Sequence, residues 1–111
     1  MKAVNIKKFG GPEMLEIISC PIPEITVNQV LIKIAASGIN RPDIVQRKGF
    51  YPAPTDASPI LGLECAGVIE RVGKNVTSWK AGDEVCALLP GGGYAEYAAT
   101  DQGSVLKIPN N

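Results

Sequence analysis

The chain has 111 residues, with eleven basic side chains balanced by eleven acidic ones and no histidine. That length is one domain with one core, and a hydrophobic fraction of 45% is enough to fill it. Charge neutrality removes the positive surplus that nucleic acid or an anionic membrane surface demands, and the missing imidazole removes histidine bases, catalytic triads and imidazole metal ligands.

Twelve glycines and nine prolines cut the sequence into short apolar runs, the texture of a mainly β domain. Lys2–Lys8 is expected as the first strand, ended by Gly10-Gly11-Pro12, with Leu15–Ser19 as its hairpin partner. The opening MKAVNIKKFGGP lacks the apolar segment of a signal peptide, and no apolar run is long enough to span a bilayer, so the chain reads as cytoplasmic. Pro21 and Pro23 then interrupt pairing, because proline cannot donate to a ladder. Gln29–Ala36, QVLIKIAA, is the clearest strand: branched, apolar, and charged only at Lys33.

The next segment leaves the β pattern. Asn40–Gly49, NRPDIVQRKG, carries the start and stop signals of a short helix: Asn40 as N-cap, Pro42 in the first turn, and Asp43 three positions after the cap. Lys48 suits the negative end of the helix dipole, and Gly49 suits the left-handed position that closes it. Strands are expected again at Cys65–Val72, Glu84–Leu89, Tyr94–Ala99 and Ser104–Ile108, with turns at Lys80–Asp83 (KAGD) and Gly91–Gly93. The architecture is therefore a partly open barrel, or a pair of sheets, interrupted by one short helix.

Cys20, Cys65 and Cys86 are odd in number and far apart, which suits buried thiols in a reducing compartment rather than disulfides or a structural zinc site. Gly91-Gly92-Gly93 invites a phosphate-loop reading, but Glu96 stands where a dinucleotide fingerprint needs its third glycine. An inter-strand loop is the simpler reading, and no Walker-type loop exists. Glu64 is either a surface carboxylate at a strand start or a group beside a cleft. Asn40 and Asp43 are explained by a capping box, or by a ligand met at the helix start. Tyr51, in GFYPAP, is either a surface ring or one wall of a cleft for a flat ligand.

GINRPDIVQRKGFYP (Gly38–Pro52), LGLECAGVIERVG (Leu61–Gly73), WKAGDEVCALLPGGGYAEYA (Trp79–Ala98) and the terminal LKIP together resemble the N-terminal domain of medium-chain dehydrogenases/reductases, and within them the zinc-independent quinone oxidoreductases. The resemblance runs nearly from end to end. It implies a GroES-like, partly open β-barrel with one or two short helices. It also implies NADPH as cofactor, bound mainly by a following Rossmann domain whose fingerprint these residues lack. Zinc-dependent relatives have histidine where Leu63 stands and a cysteine at or near Ile39. With Glu64 as the sole candidate ligand, no zinc is expected.

The resemblance places Asn40, Asp43, Arg47 and Tyr51 at the wall of a hydride-transfer cleft, with Leu63 and Glu64 beside it. Asn40 and Asp43 are the candidate catalytic residues, Asn40 by donating to a quinone carbonyl or the nicotinamide amide. Arg47 holds the helix, and Tyr51 packs against the acceptor. Val45 departs from the pattern, since many quinone oxidoreductases have a cofactor-contacting tyrosine there. The implied partners are a small-molecule quinone and, for the longer protein, a second copy in a homodimer, with self-association of the fragment also expected. The fragment by itself is expected to be inactive. The rival class is a stand-alone GroES-like binding or assembly module, since fold alone does not fix function.

Overall fold

A computed structural model describes residues 1–110. Seven strands are formed: β1 (Lys2–Ile6), β2 (Leu15–Ser19), β3 (Gln29–Ser37), β4 (Glu64–Val72), β5 (Glu84–Leu88), β6 (Tyr97–Asp101) and β7 (Val105–Lys107). The single α-helix, α1, covers Arg41–Lys48, and short 3-10 turns occupy Pro12–Met14 and Gln102–Ser104. Strands β1 and β2 form a hairpin, and the other five form one antiparallel sheet in the order β6-β3-β4-β5-β7. Register slips between β3 and β4 at Leu31/Ile32 and again at Ile34/Ala36. Bulges of this kind raise the local twist, and here they curl the sheet into a half-barrel open between β6 and β7. No helix among the described residues is long and apolar enough to cross a membrane.

The strand sequences explain which face is covered. In β4, Cys65, Gly67 and Ile69 are buried while Glu64, Val68 and Glu70 are exposed, and β5 alternates in the same way through Val85 and Ala87. This is the period-two pattern of strands with one face on the core. Val30, Ile32, Cys65, Ile69, Val85 and Ala98 meet inside the curl, with Trp79 packed against them. Leu31, between two inward residues of β3, is also buried, so this central strand is covered on both faces near its start.

One expected strand is displaced. Tyr94–Ala99 reads as a strand, but β6 begins only at Tyr97. Residues 94–96 are drawn instead toward β1: Val4 N–H donates to the Tyr94 carbonyl at 2.9 Å, Ala3 and Ala95 form an isolated bridge, and Glu96 N–H donates to the Lys2 carbonyl at 3.2 Å. That crossing ties the hairpin to the large sheet. The first strand is shorter than expected for a related reason, since the chain turns after Ile6 into the Lys7–Gly11 loop.

Helix α1 forms as its end signals predict. Gly49 adopts φ +92° and donates to the Gln46 carbonyl, while Phe50 N–H reaches the Val45 carbonyl, both at 3.0 Å. These two bonds make a Schellman closure. Before β4, Gly62 has φ +110° and lies so near the neighbouring loop that a Cβ would sit 2.5 Å from the Gly93 Cα. Gly82 has a similar φ of +94° but open space around it. Alanine at Gly82 is therefore expected to cost only left-handed backbone strain, ~1–2 kcal/mol, whereas alanine at Gly62 must also displace the Gly93 backbone. Urea unfolding of the two variants is expected to show at least about twice the loss at Gly62.

Candidate functional site

The inward face of α1 is polar. Its two buried residues are Asp43 and Gln46, three apart and so on one side of the helix. Asp43 is 2% exposed. Its Oδ2 accepts two hydrogen bonds, from the Asn40 N–H at 3.0 Å and from the Tyr94 hydroxyl at 2.7 Å. Its Oδ1 is buried without a partner. The Asn40 carboxamide occupies the capping-box position, yet it makes no well-formed cap hydrogen bond; Asp43 N–H bonds the Asn40 main-chain carbonyl at 3.0 Å. Asp43 is the stronger member of the box, and it is the side-chain N–H of the half-buried Asn40, not its oxygen, that the box leaves without a role.

Tyr94 was not legible as a site residue from the sequence. It sits at the end of GGGY, where the loop before β6 is bonded to the loop before β4: Gly93 N–H donates to the Gly62 carbonyl at 3.0 Å and Tyr94 N–H to the Leu61 carbonyl at 2.8 Å. Those bonds carry its ring to α1. Burial, and then the Asp43 carboxylate that accepts its proton, hold the Tyr94 phenol above the usual tyrosine range.

The other expected residues divide between the two ends of α1. Arg47 fastens the helix to the loop after β1: its Nε donates to the Gly10 carbonyl at 3.1 Å, and Gly10 N–H returns a bond to the Arg47 carbonyl at 3.0 Å. Tyr51, 44% exposed, lines a cavity of about 380 Å³ at this C-terminal end, together with Phe9, Gln46 and Pro52. Glu64 lies near the other end, in a shallow groove of about 440 Å³ with Ser37, Gly38, Cys65, Cys86 and Leu106. Its carboxylate packs directly over the Gly38 Cα. Leu63 lines neither space; its carbonyl accepts the Leu89 N–H at 2.8 Å. The six residues thus do not share one cavity, and Asn40 and Asp43 stand at the helix start near the Gly38 side.

Among the described residues no group of three or more histidine, cysteine, aspartate or glutamate side chains converges on a point. All three cysteines are free. Cys65 is pushed up to about 11 by burial and, less, by the nearby Cys86 thiol, so it is a thiol rather than a thiolate at neutral pH.

Removing the Tyr94 hydroxyl strips a donor from a buried carboxylate, so Tyr94→Phe is expected to cost ~1–3 kcal/mol in denaturant unfolding. The raised phenol also fixes a pH dependence. Above pH ~10 the unfolded chain releases this proton before the folded one does, so the contribution of this group is complete below that pH and is lost above it. Tyr94→Phe is expected to make that alkaline fall shallower; an unchanged slope would show that the hydroxyl is not held as described.

Comparison with known proteins identifies the family to which this fold belongs. The family described as "Alcohol dehydrogenase GroES-like domain" matches residues 26–110. Quinone oxidoreductases of Lama guanicoe and Homo sapiens are each 42% identical over 113 residues, covering 98% of this chain and 34% of their own length. The chain therefore spans about a third of the length of the curated relatives it matches. Among solved structures, the human synaptic vesicle membrane protein VAT-1 homolog-like protein superposes with a TM-score of 0.90 at 32% identity, over 100% of this chain and 36% of that one. An Escherichia coli quinone oxidoreductase complexed with NADPH gives 0.88 at 30% identity, over 98% of this chain and 33% of that one. The curled five-strand sheet with its single helix belongs to the alcohol dehydrogenase GroES-like family, as an N-terminal portion of a medium-chain dehydrogenase/reductase.

Proposed function

We propose that the chain is the substrate-side domain of a zinc-independent, NADPH-dependent quinone oxidoreductase, acting on a quinone or a similar electrophilic carbonyl acceptor. The observation that carries this reading is the likeness, over 98% of the chain at 37–42% identity, to proteins named quinone oxidoreductase. The local chemistry agrees with it. Leu63 and Asn40 offer neither thiolate nor imidazole, and Glu64 alone is too weak a donor set for zinc. Cytoplasmic residence and dimerisation of the longer protein belong to the same reading.

NADPH, when bound, supplies hydride from its nicotinamide ring. The residues at the start of α1 fit a carboxamide or carbonyl partner, because the capping box uses only the Asn40 side-chain oxygen and leaves its N–H, while its backbone is held firmly by Asp43. Asn40 donates to the acceptor oxygen as negative charge develops there, a preorganised donor doing what a cation does in metal-dependent chemistry. Asp43, fixed by Tyr94, keeps the helix start from shifting as the ligand arrives. Tyr51, in the separate cavity at the other end of α1, offers an aromatic wall to a flat ring bound there.

In a chain extended to include a dinucleotide-binding domain, NADPH oxidation with 1,2-naphthoquinone is expected, and the 111 residues by themselves are expected to give none. Asn40→Ala in the extended chain is expected to lower kcat by roughly 10²-fold, the usual loss for one oxyanion donor. Elemental analysis is expected to find no stoichiometric zinc. An extended chain without turnover, or one that needs zinc, would sink the proposal.

A further inference from the structure

The cavity at the C-terminal end of α1 has a composition that packing alone does not explain. Asn5, Phe9, Gln46, Tyr51, Pro52 and Pro59 surround about 380 Å³, within the ~300–1,000 Å³ typical of small-molecule sites. Two rings are left unusually open there, Phe9 at 67% and Tyr51 at 44% exposure. Gln46, which lines the same cavity, is only 7% exposed. The Asn5 amide is already committed, donating to Glu16 Oε1 at 3.0 Å. Among the described residues the Gln46 carboxamide has no such partner, and its polar atoms are not sealed off from the cavity as Asp43 Oδ1 is sealed in the protein.

With no protein partner, the Gln46 amide depends for its hydrogen bonds on whatever occupies the cavity, and a leucine or methionine would hold this position on the helix without that need. Among the described residues no formally charged side chain lines the cavity, so it is ill suited to phosphate or any ionic ligand. Two ring faces, proline walls and one free amide suit a flat, uncharged molecule with an exocyclic oxygen.

We infer that Gln46 is a specificity-determining residue of a ring-binding pocket, its side-chain N–H donating to a carbonyl oxygen of a planar ring held against Phe9 and Tyr51. The class of ring rests on the quinone reading above; the amide contact is additional to it.

The test needs neither NADPH nor turnover. The 111-residue chain is titrated with duroquinone and with durene, which has the same methylated ring without the carbonyls, while the Gln46 side-chain amide is followed by ¹⁵N–¹H NMR. Duroquinone is expected to bind about tenfold more tightly, the worth of one hydrogen bond made in a desolvated site, and to move the Gln46 amide resonance. Gln46→Leu is expected to bring the two affinities within about twofold without weakening durene. Equal affinities in the parent chain, a preference that survives Gln46→Leu, or no binding of either compound would overturn the inference. The parent-chain comparison stands even if the variant does not fold. Failure of hydride transfer in the extended chain would be a separate result, because ring binding is read here without any reaction.

Discussion

Gly62 and Gly93 touch where two side chains would not fit, and most of the functional geometry follows from that approach. A Cβ on Gly62 would meet the Gly93 Cα at 2.5 Å, and around this point the loop before β4 bonds to the loop before β6 through Gly92 to Ile60, Gly93 to Gly62 and Tyr94 to Leu61. The Ser37 hydroxyl, at the end of β3, adds a bond to the Gly93 carbonyl at 2.5 Å. Three segments distant in sequence are pinned at one place. Tyr94 leaves that place toward Asp43, and Asp43 in turn fixes the Asn40 backbone. A close backbone contact that a side chain on Gly62 would not allow thus positions the start of α1 through two intervening side chains.

The helix so held is an unusual one, because both of its buried side chains are polar. Most protein helices are stabilised by an apolar face packed on a core, and eight residues are too few to be helical on propensity alone. Here the ends carry the stabilisation: Asp43 closes the first turn, the Schellman bonds at Gly49 and Phe50 close the last, and Arg47 ties the last turn to Gly10 from outside. The apolar burial that sustains the domain lies elsewhere, in the curl of β3, β4 and β5 around Val30, Ile32, Ile69 and Val85. The sheet can tolerate a polar helix beside it because its own core does not depend on that helix.

This division explains what could be read in advance. Strand β2 and helix α1 were legible to within a residue because their signals are local: a short run after a Gly-Gly-Pro break, a cap pair, a closing glycine. The start of β6 was not, because residues 94–96 are claimed by β1, about ninety residues away in sequence. The capping box was visible as Asn40 and Asp43, but the sequence assigned both residues equal parts in it; the third partner, Tyr94, which makes the carboxylate the stronger member, comes from another loop. Tyr51 stood out as an aromatic on a proline-rich loop. Gln46 did not, since glutamine in a helix is ordinary on the surface, and only the folded structure shows it buried at the edge of a cavity shared with Phe9 and Tyr51.

Asn40 and Gln46 stand at opposite ends of the same short helix, six residues and therefore about 9 Å apart along its axis. Both present carboxamides, groups that donate and accept without changing charge between acid and alkaline pH. A metal centre would demand several converging ligands and would answer to pH through their protonation. Two neutral amides on a rigid arm demand only that the arm not move. In that light the partnerless Oδ1 of Asp43 is the cost of rigidity: one carboxylate oxygen is left unsatisfied in the protein so that the other can hold both the helix start and Tyr94. Recognition by such donors is set by where they stand rather than by charge, the condition that suits a flat, uncharged ligand over an anion.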